Sequence, residues 1–366
     1  MTVQEVCDIV EQLAPSGLAY SWDRCGLHTG DPDDEVRCVL VALTVTREAF
    51  NAARRARAQM IVAHHPLIWE PKKTLRADDP HTKLCLDIAE AGIACYGAHT
   101  NLDVVPGGVN TAIADRLKLR DTSPLLPVDQ AQQVKLVTFV PATHLAQVRD
   151  AVCKAGAGAI GDYTHCSFSA PGTGTFLPNE KSDPFSGKRF VVNEEPELRF
   201  EVLVTKARLA PVIAALKAVH PYEEVAYDLV VLENYDASIG LGVKGHLDRG
   251  MTLGVFSRFV RKALGARFVR VAGSLDTRVH SVGVLGGSGG GEIAKMPSSL
   301  DVLVTGDVDY HDALAAQDRG LAVIDAGHAA AEKWVVPALA AYLKPRLKKV
   351  RVATYLEPEL FRVISD

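Results

Sequence analysis

The chain has 366 residues, more than one ordinary hydrophobic core accommodates and enough for two or three domains of about 100 to 200 residues each. Apolar residues make up 48% and charged residues 23%, which excludes a disordered or fibrous class. A formal net charge of −4 excludes a general electrostatic pull toward nucleic acid or an anionic membrane, so any nucleotide binding must be local.

The opening, MTVQEVCDIVEQL, reads as an amphipathic first helix carrying acidic residues, not as a secretory signal, and no apolar run approaches the roughly 18 residues that span a bilayer. The seven cysteines are odd in number, scattered, and contain no C-x-x-C pair, which argues against a thiolate zinc site and a disulfide framework and for a reducing, cytoplasmic setting. Next come apolar strands alternating with helices: VRCVLVALTV, the basic helix TREAFNAARRARA, QMIVAHH, a helix around HTKLCLDIAEA, and GIACYGAHT. This alternation predicts βαβ units and a largely parallel sheet, with the strand C-termini on one rim where ligands bind.

From Val134 to Glu233 the pattern changes. A strand (VKLVTFV), a helix (THLAQVRDAVCKAG), a Gly/Pro/Ser-rich surface connector (YTHCSFSAPGTGTFLPNEKSDPFSG), a strand (LRFEVLV), a helix (RLAPVIAALKAV) and a strand (VAYDLVVL) suit a ferredoxin-like α+β insert. The α/β rhythm then resumes with RFVRVAG, VHSVGVLGG, LDVLVTGD, LAVIDAG and a closing helix EKWVVPALAAYL. The expected organisation is one α/β main domain built from residues 1–128 and 236–366, with residues 129–235 inserted.

Polar residues stranded at the ends of apolar strands carry the chemistry. His64 and His65 follow QMIVA and are fixed by Pro66. His99, Asn101 and Asp103 follow GIACYGA and would share one face if the chain stays extended. His328 and Glu332 lie four apart at a helix start, on one face. Each pattern alone is more often a surface pair or a local turn. Three such clusters after three strands of one domain favour a metal, because so many ionisable groups at a rim are costly to bury without a partner ion. Three imidazoles and two carboxylates (His64, His65, His328, Asp103, Glu332) exceed one tetrahedral zinc site and suit two divalent ions. Zinc, iron, manganese, cobalt and nickel all accept this donor set, and a paired site suits hydrolysis. GGSGGG at 286–291 either cradles a phosphate or is a flexible turn. In VTGDVDYHDAL, Asp307, Tyr310 and His311 could line a pocket or relay protons, while Asp307 or Asp309 could simply cap a helix.

SWDRCGLHTG, VAHHPLIW, AHTNLDVVPGGVN, VLGGSGG, VTGDVDYHDAL and VIDAGHAAAE, in this order, resemble the Nif-three-like dinuclear metal-centre proteins, or GTP cyclohydrolase I type 2 homologues. DYTHCSFSAPGTGTFLP and HPYEEVAYDLVVL resemble the PII/CutA-like domain inserted in the longer members. The resemblance implies the same ligand set and a toroidal homohexamer. It also implies a GTP cyclohydrolase in which metal-held hydroxide attacks the guanine ring, assisted by His99, Tyr310 or His311. A metal-dependent phosphoester hydrolase and a non-catalytic metal-binding or regulatory ring, acting through the insert around His220–Glu224, are the alternatives. The chain departs from the family at Arg24 and Thr44, where Asn and Asp are usual, and at Ala329, where an aromatic is common.

Overall fold

The computed structural model describes residues 1–362 and residue 364. They form two compact units, one of Met1–Val128 with Ala237–Asp366 and the other of Asp129–Asp236.

The first unit opens with α1 (Val3–Leu13), whose N-terminus is closed by a capping box between Thr2 and Glu5. There follow β1 (Gly26–Thr29), β2 (Cys38–Ala42), α2 (Arg47–Ala56), β3 (Met60–Ala63), α3 (Pro80–Glu90), β4 (Ala94–Gly97), the single turn α4 (Thr100–Asp103), α5 (Val109–Arg116) and β5 (Arg120–Leu126). Every residue of β2, β3 and β4 is buried, as expected of parallel strands covered on both faces.

The inserted unit runs β6 (Gln132–Val140), α6 (Leu145–Lys154), β7 (Ser167–Phe176), β8 (Asn193–Thr205), α7 (Leu209–Val219) and β9 (Tyr227–Tyr235). Its sheet is antiparallel in the order β7-β8-β6-β9. Both helices pack on one face, closing a core around Leu136, Val148, Phe200, Val212 and Leu216. Part of the Gly/Pro/Ser-rich surface connector is a strand, β7, and not only turns. It is a mostly exposed edge strand containing Pro171, Gly172 and Gly174, so neither a buried apolar run nor β-propensity marks it, and its edge position tolerates the proline.

The chain then returns to the first unit with β10 (Leu241–Thr252), α8 (Leu253–Leu264), β11 (Arg270–Ala272), β12 (Arg278–Ser288), β13 (Val302–Gly306), α9 (Tyr310–Asp318), β14 (Ala322–Asp325), α10 (His328–Glu332), α11 (Val335–Leu343) and β15 (Arg351–Thr354). The expected closing helix is two helices, because Pro337 cannot continue a helix arriving from α10 but is accommodated in the first turn of α11.

This unit holds two mixed sheets, not one parallel sheet: β1-β4-β3-β2-β15 and β11-β14-β13-β12-β10-β5. Strands β15, β2, β3 and β4 are parallel in the first, and β12, β13 and β14 in the second. Each half of the chain lends one strand to the sheet of the other: β15 joins the first sheet and β5 the second. No helix among the described residues is long and apolar enough to cross a membrane.

Candidate metal centre

His64 and His65 leave the C-terminal end of β3, where the His64 N–H donates to the Ala42 carbonyl at 3.3 Å and the His65 N–H to the Leu43 carbonyl at 2.8 Å. His99 follows β4 and sits at the head of α4. Because α4 is helical, not extended, Asp103 comes back over His99 after one turn. The expectation that residues 99, 101 and 103 share a face therefore fails at Asn101. Its amide donates to the Ala14 carbonyl at 2.7 Å and its Oδ1 accepts from the Cys25 thiol, away from the cluster. His328 and Glu332 arrive on α10, just past the end of β14. The strand ends of both sheets thus deliver their polar residues to one place.

All four imidazoles have Nδ1 engaged. His64 Nδ1 donates to the Ala98 carbonyl at 2.9 Å, His65 Nδ1 meets the Thr44 hydroxyl at 2.7 Å, His99 Nδ1 meets Asp23 Oδ1 at 2.9 Å, and His328 Nδ1 meets Asp307 Oδ2 at 2.7 Å. Holding one ring nitrogen fixes the ring and leaves Nε2 for a ligand, the usual support behind metal-binding histidines. His64 Nε2 is 3.7 Å from Asp103 Oδ1 and 3.7 Å from Glu332 Oε1. Both His65 Nε2 and His328 Nε2 are 3.0 Å from Glu332 Oε2. Donor atoms of His64, His65 and His99 lie within 4.8 Å of one another, as do those of His65, His328 and Glu332.

A metal fits these residues on three counts. His64 is fully buried, yet its Nε2 has no hydrogen-bond partner while two carboxylates stand just outside bonding range. A cation about 2.0 to 2.2 Å from each nitrogen and oxygen fills separations of this size. Finally, Gly287 leaves a space that a Cβ would close: it would stand 2.2 Å from Glu332 Oε1, at a residue with φ of +67°. The GGSGGG run therefore makes room for the Glu332 carboxylate. Its first glycine, Gly286, donates its N–H to Asn110 Oδ1 at 2.8 Å.

The electrostatics show how tightly the cluster is coupled without a cation. Burial opposes ionisation of Glu332, but the surrounding imidazoles outweigh it and hold the carboxyl well below the usual range. Glu332 and Asp307 push His328 up to about 9. Burial opposes the charge of His64, yet Asp103 and Glu332 raise it to about 9. Burial lowers His65, whereas burial and the neighbouring Glu332 raise Asp103 to about 6. Asp23 is driven below the usual carboxylate range: burial opposes this, but His99, Thr100 and the Arg24 N–H prevail.

Of the residues singled out in the sequence, His64, His65, Asp103, His328 and Glu332 come together, and His99 stands among them. Tyr310 and His311 do not. Both are exposed on the first turn of α9, and they pair edge to face with each other at 5.4 Å. No described hydrogen bond or ring contact joins either to the cluster. Asp309, not Asp307, caps α9 through the Asp312 N–H. Asp307 instead reaches the positive-φ region, at φ of 53°, and holds His328. Asp23 and Thr44, which no local sequence pattern marks as supports, hold His99 and His65. Arg24 is exposed, with its guanidinium on the Asp23 carbonyl.

Paired sheets with imidazoles and carboxylates gathered at their strand ends define an α/β protein with a candidate metal centre. The chain belongs to the Duf34/NIF3 (NGG1p interacting factor 3) family, whose profile matches residues 1–358. A Halalkalibacterium halodurans relative named GTP cyclohydrolase 1 type 2 homolog is 41% identical over 326 residues, 89% of this chain and 88% of the relative. A Bacillus subtilis relative of the same name is 40% identical over 327 residues, 89% of this chain and 87% of the relative. Among solved structures, a Bacillus cereus protein related to NIF3 is similar with a TM-score of 0.80 at 38% identity, covering 100% of this chain and 99% of that one.

Proposed function

We propose that this chain is a dinuclear metal-dependent hydrolase acting on a guanine nucleotide, the reaction class named in its relatives. The observation that carries the reading is the division of labour at Glu332. Its Oε1 faces His64 Nε2, which also faces Asp103, and its Oε2 faces both His65 and His328. Two divalent ions, zinc, iron, manganese, cobalt or nickel, would be held in this way, with Glu332 shared between them. Bound there, they would supply an acidified water and positive charge for a developing oxyanion.

The chain's own groups supply the proton handling. Ionised Asp23 holds the proton on His99 Nδ1, so His99 Nε2 faces the cluster as a base. Tyr310 and His311 would serve only if another copy presented them, which belongs with a homohexameric assembly. The order β7-β8-β6-β9 supports reading the insert as ferredoxin-like and of the PII/CutA kind.

The test is elemental analysis of protein purified in metal-free buffer, beside His64→Ala and Glu332→Ala, followed by assay of GTP conversion to a ring-opened product. About two ions per chain, lost in both variants together with turnover, would support the reading. Bound metal that turns over only phosphoesters would replace the substrate, and metal with no turnover would point to metal handling. No metal after reconstitution would overturn the reading.

A further inference from the structure

Beside the imidazole cluster stands a group of aromatic rings that the chemistry above does not use. Trp22 and Trp69 are 53% and 49% exposed. Their ring centroids are 5.8 Å apart at 58°, and Tyr20 stacks on Trp22 at 5.7 Å and 10°. Trp69 meets the edge of His99 at 5.3 Å, and His99 lies 5.2 Å from His64 and 5.8 Å from His65. The indole faces are therefore two ring-to-ring steps from the candidate metal ligands.

Both tryptophans are rigidly carried. Trp22 precedes Asp23, whose carboxylate is fully buried and accepts from His99 Nδ1, the Thr100 N–H and the Thr100 hydroxyl. The Tyr20 N–H donates to the Thr100 hydroxyl at 3.1 Å, which ties down the other side of Trp22. Trp69 ends a segment held by His81 Nε2 on the Leu67 carbonyl at 2.7 Å and by the Ile68 N–H on His28 Nδ1 at 3.4 Å. Neither indole N–H has a described partner in the protein. Trp334, by contrast, donates its N–H to the Leu264 carbonyl at 3.0 Å and carries the Arg116 guanidinium 3.7 Å above its ring.

Large, half-exposed indoles held still, with free N–H groups, are suited to stack a flat ring and donate to its edge. We propose that Trp22 and Trp69 form the wall of a subsite for a planar heteroaromatic ring, and that this wall, not the metal ligands, selects the ring. The proposal deepens the hydrolase reading and rests on it for naming the ring as a purine. Stacking requires only the π-face, so the wall selects ring over sugar phosphate, and His99 at its end receives the ring edge.

The test uses the full metal-loaded chain, with guanosine and GTP as ring-bearing probes and ribose 5-phosphate as the ringless one. Tryptophan emission should be quenched saturably by guanosine and GTP and left unchanged by ribose 5-phosphate. Trp22→Leu and Trp69→Leu should each bind guanosine about ten-fold more weakly, with metal content unchanged, and Trp22→Phe should recover most of that loss. Should a leucine variant also lose metal, guanosine quenching of the metal-free wild type beside the metal-free leucine variants decides, since stacking on the indoles requires no ion, and equal binding there would overturn the subsite. Absence of quenching by guanosine, or leucine variants that bind it as wild type does, would overturn the subsite. Stacking without GTP turnover would sink the hydrolase reading alone, whereas turnover with unchanged KM in both leucine variants would sink the subsite alone.

Discussion

His65 Nε2 lies 3.0 Å from Oε2 of Glu332, a residue 267 positions further along the chain, and this contact joins the end of β3 to α10. The same oxygen is 3.0 Å from His328 Nε2, while the other faces His64. Glutamine at 332 would keep the shape and remove the shared charge. If two ions share this carboxylate as proposed, Glu332→Gln should lower occupancy of both positions together, at least ten-fold in affinity, because second partners such as Asp103 and His328 cannot replace a shared carboxylate. Titration of the metal-free variant with manganese or zinc measures this. Loss of one ion with the other retained at full affinity would refute the sharing.

Gly287 offers a test by volume instead of charge. Alanine there would put a Cβ 2.2 Å from Glu332 Oε1, at a backbone φ of +67° that side chains rarely adopt. Gly287→Ala should displace Glu332, abolish tight metal binding, and cost roughly 1 to 3 kcal/mol of stability from the backbone alone. Urea unfolding of the metal-free protein gives the second quantity and metal titration the first. A variant with wild-type metal affinity would show that the glycine is merely a turn.

The pH dependence of the metal-free protein follows from His64 and His328, both raised to about 9. A group whose folded pKa lies above its unfolded value contributes stability fully present below the unfolded pKa of about 6.5 and lost as pH rises through the folded one. Glu332, held low, adds a constant amount across that window. The melting temperature of metal-free protein should thus fall between about pH 6.5 and 9. Metal needs the imidazoles neutral, so the stabilisation produced by added zinc should grow over the same window. Parallel melting curves with and without zinc would contradict this coupling.

Much of the arrangement was legible because it is written in contiguous residues. Buried, mostly apolar runs mark β2, β3, β4, β13 and β14, and a strand followed by His-His or by His-x-x-x-Glu announces polar groups at a rim. What escaped depends on contacts between distant segments. Asp23 meets His99 across 76 positions, and nothing in SWDRCGL indicates that its carboxylate is buried. The GGSGGG run was legible as a special backbone but not as clearance for Glu332, since that role exists only once α10 has packed behind it. Strands β5, β7 and β10 carry exposed or mixed faces and so lack the apolar run that a sequence reading relies on.

Thr44 shows how one such distant contact can be tested. Its hydroxyl is 2.7 Å from His65 Nδ1, and its N–H separately donates to Glu357 Oε1 at 2.8 Å. A hydroxyl can either donate or accept, so it can follow His65 between tautomers: donating to Nδ1 when Nε2–H faces Glu332, and accepting from Nδ1–H when Nε2 is a ligand. A carboxylate would enforce only the second state. Thr44→Val keeps the shape and the backbone donor and removes this partner alone. Metal affinity should fall about ten- to hundred-fold, as for other groups that orient a ligating imidazole. The urea midpoint of the metal-free protein should stay close to wild type, because the site is part-buried and only one hydrogen bond is lost. Competition against a chelator of known affinity measures the first quantity. Unchanged affinity would mean that Glu332 and packing orient His65 by themselves, and a large loss of stability would make Thr44 a structural residue and not a support of the metal centre.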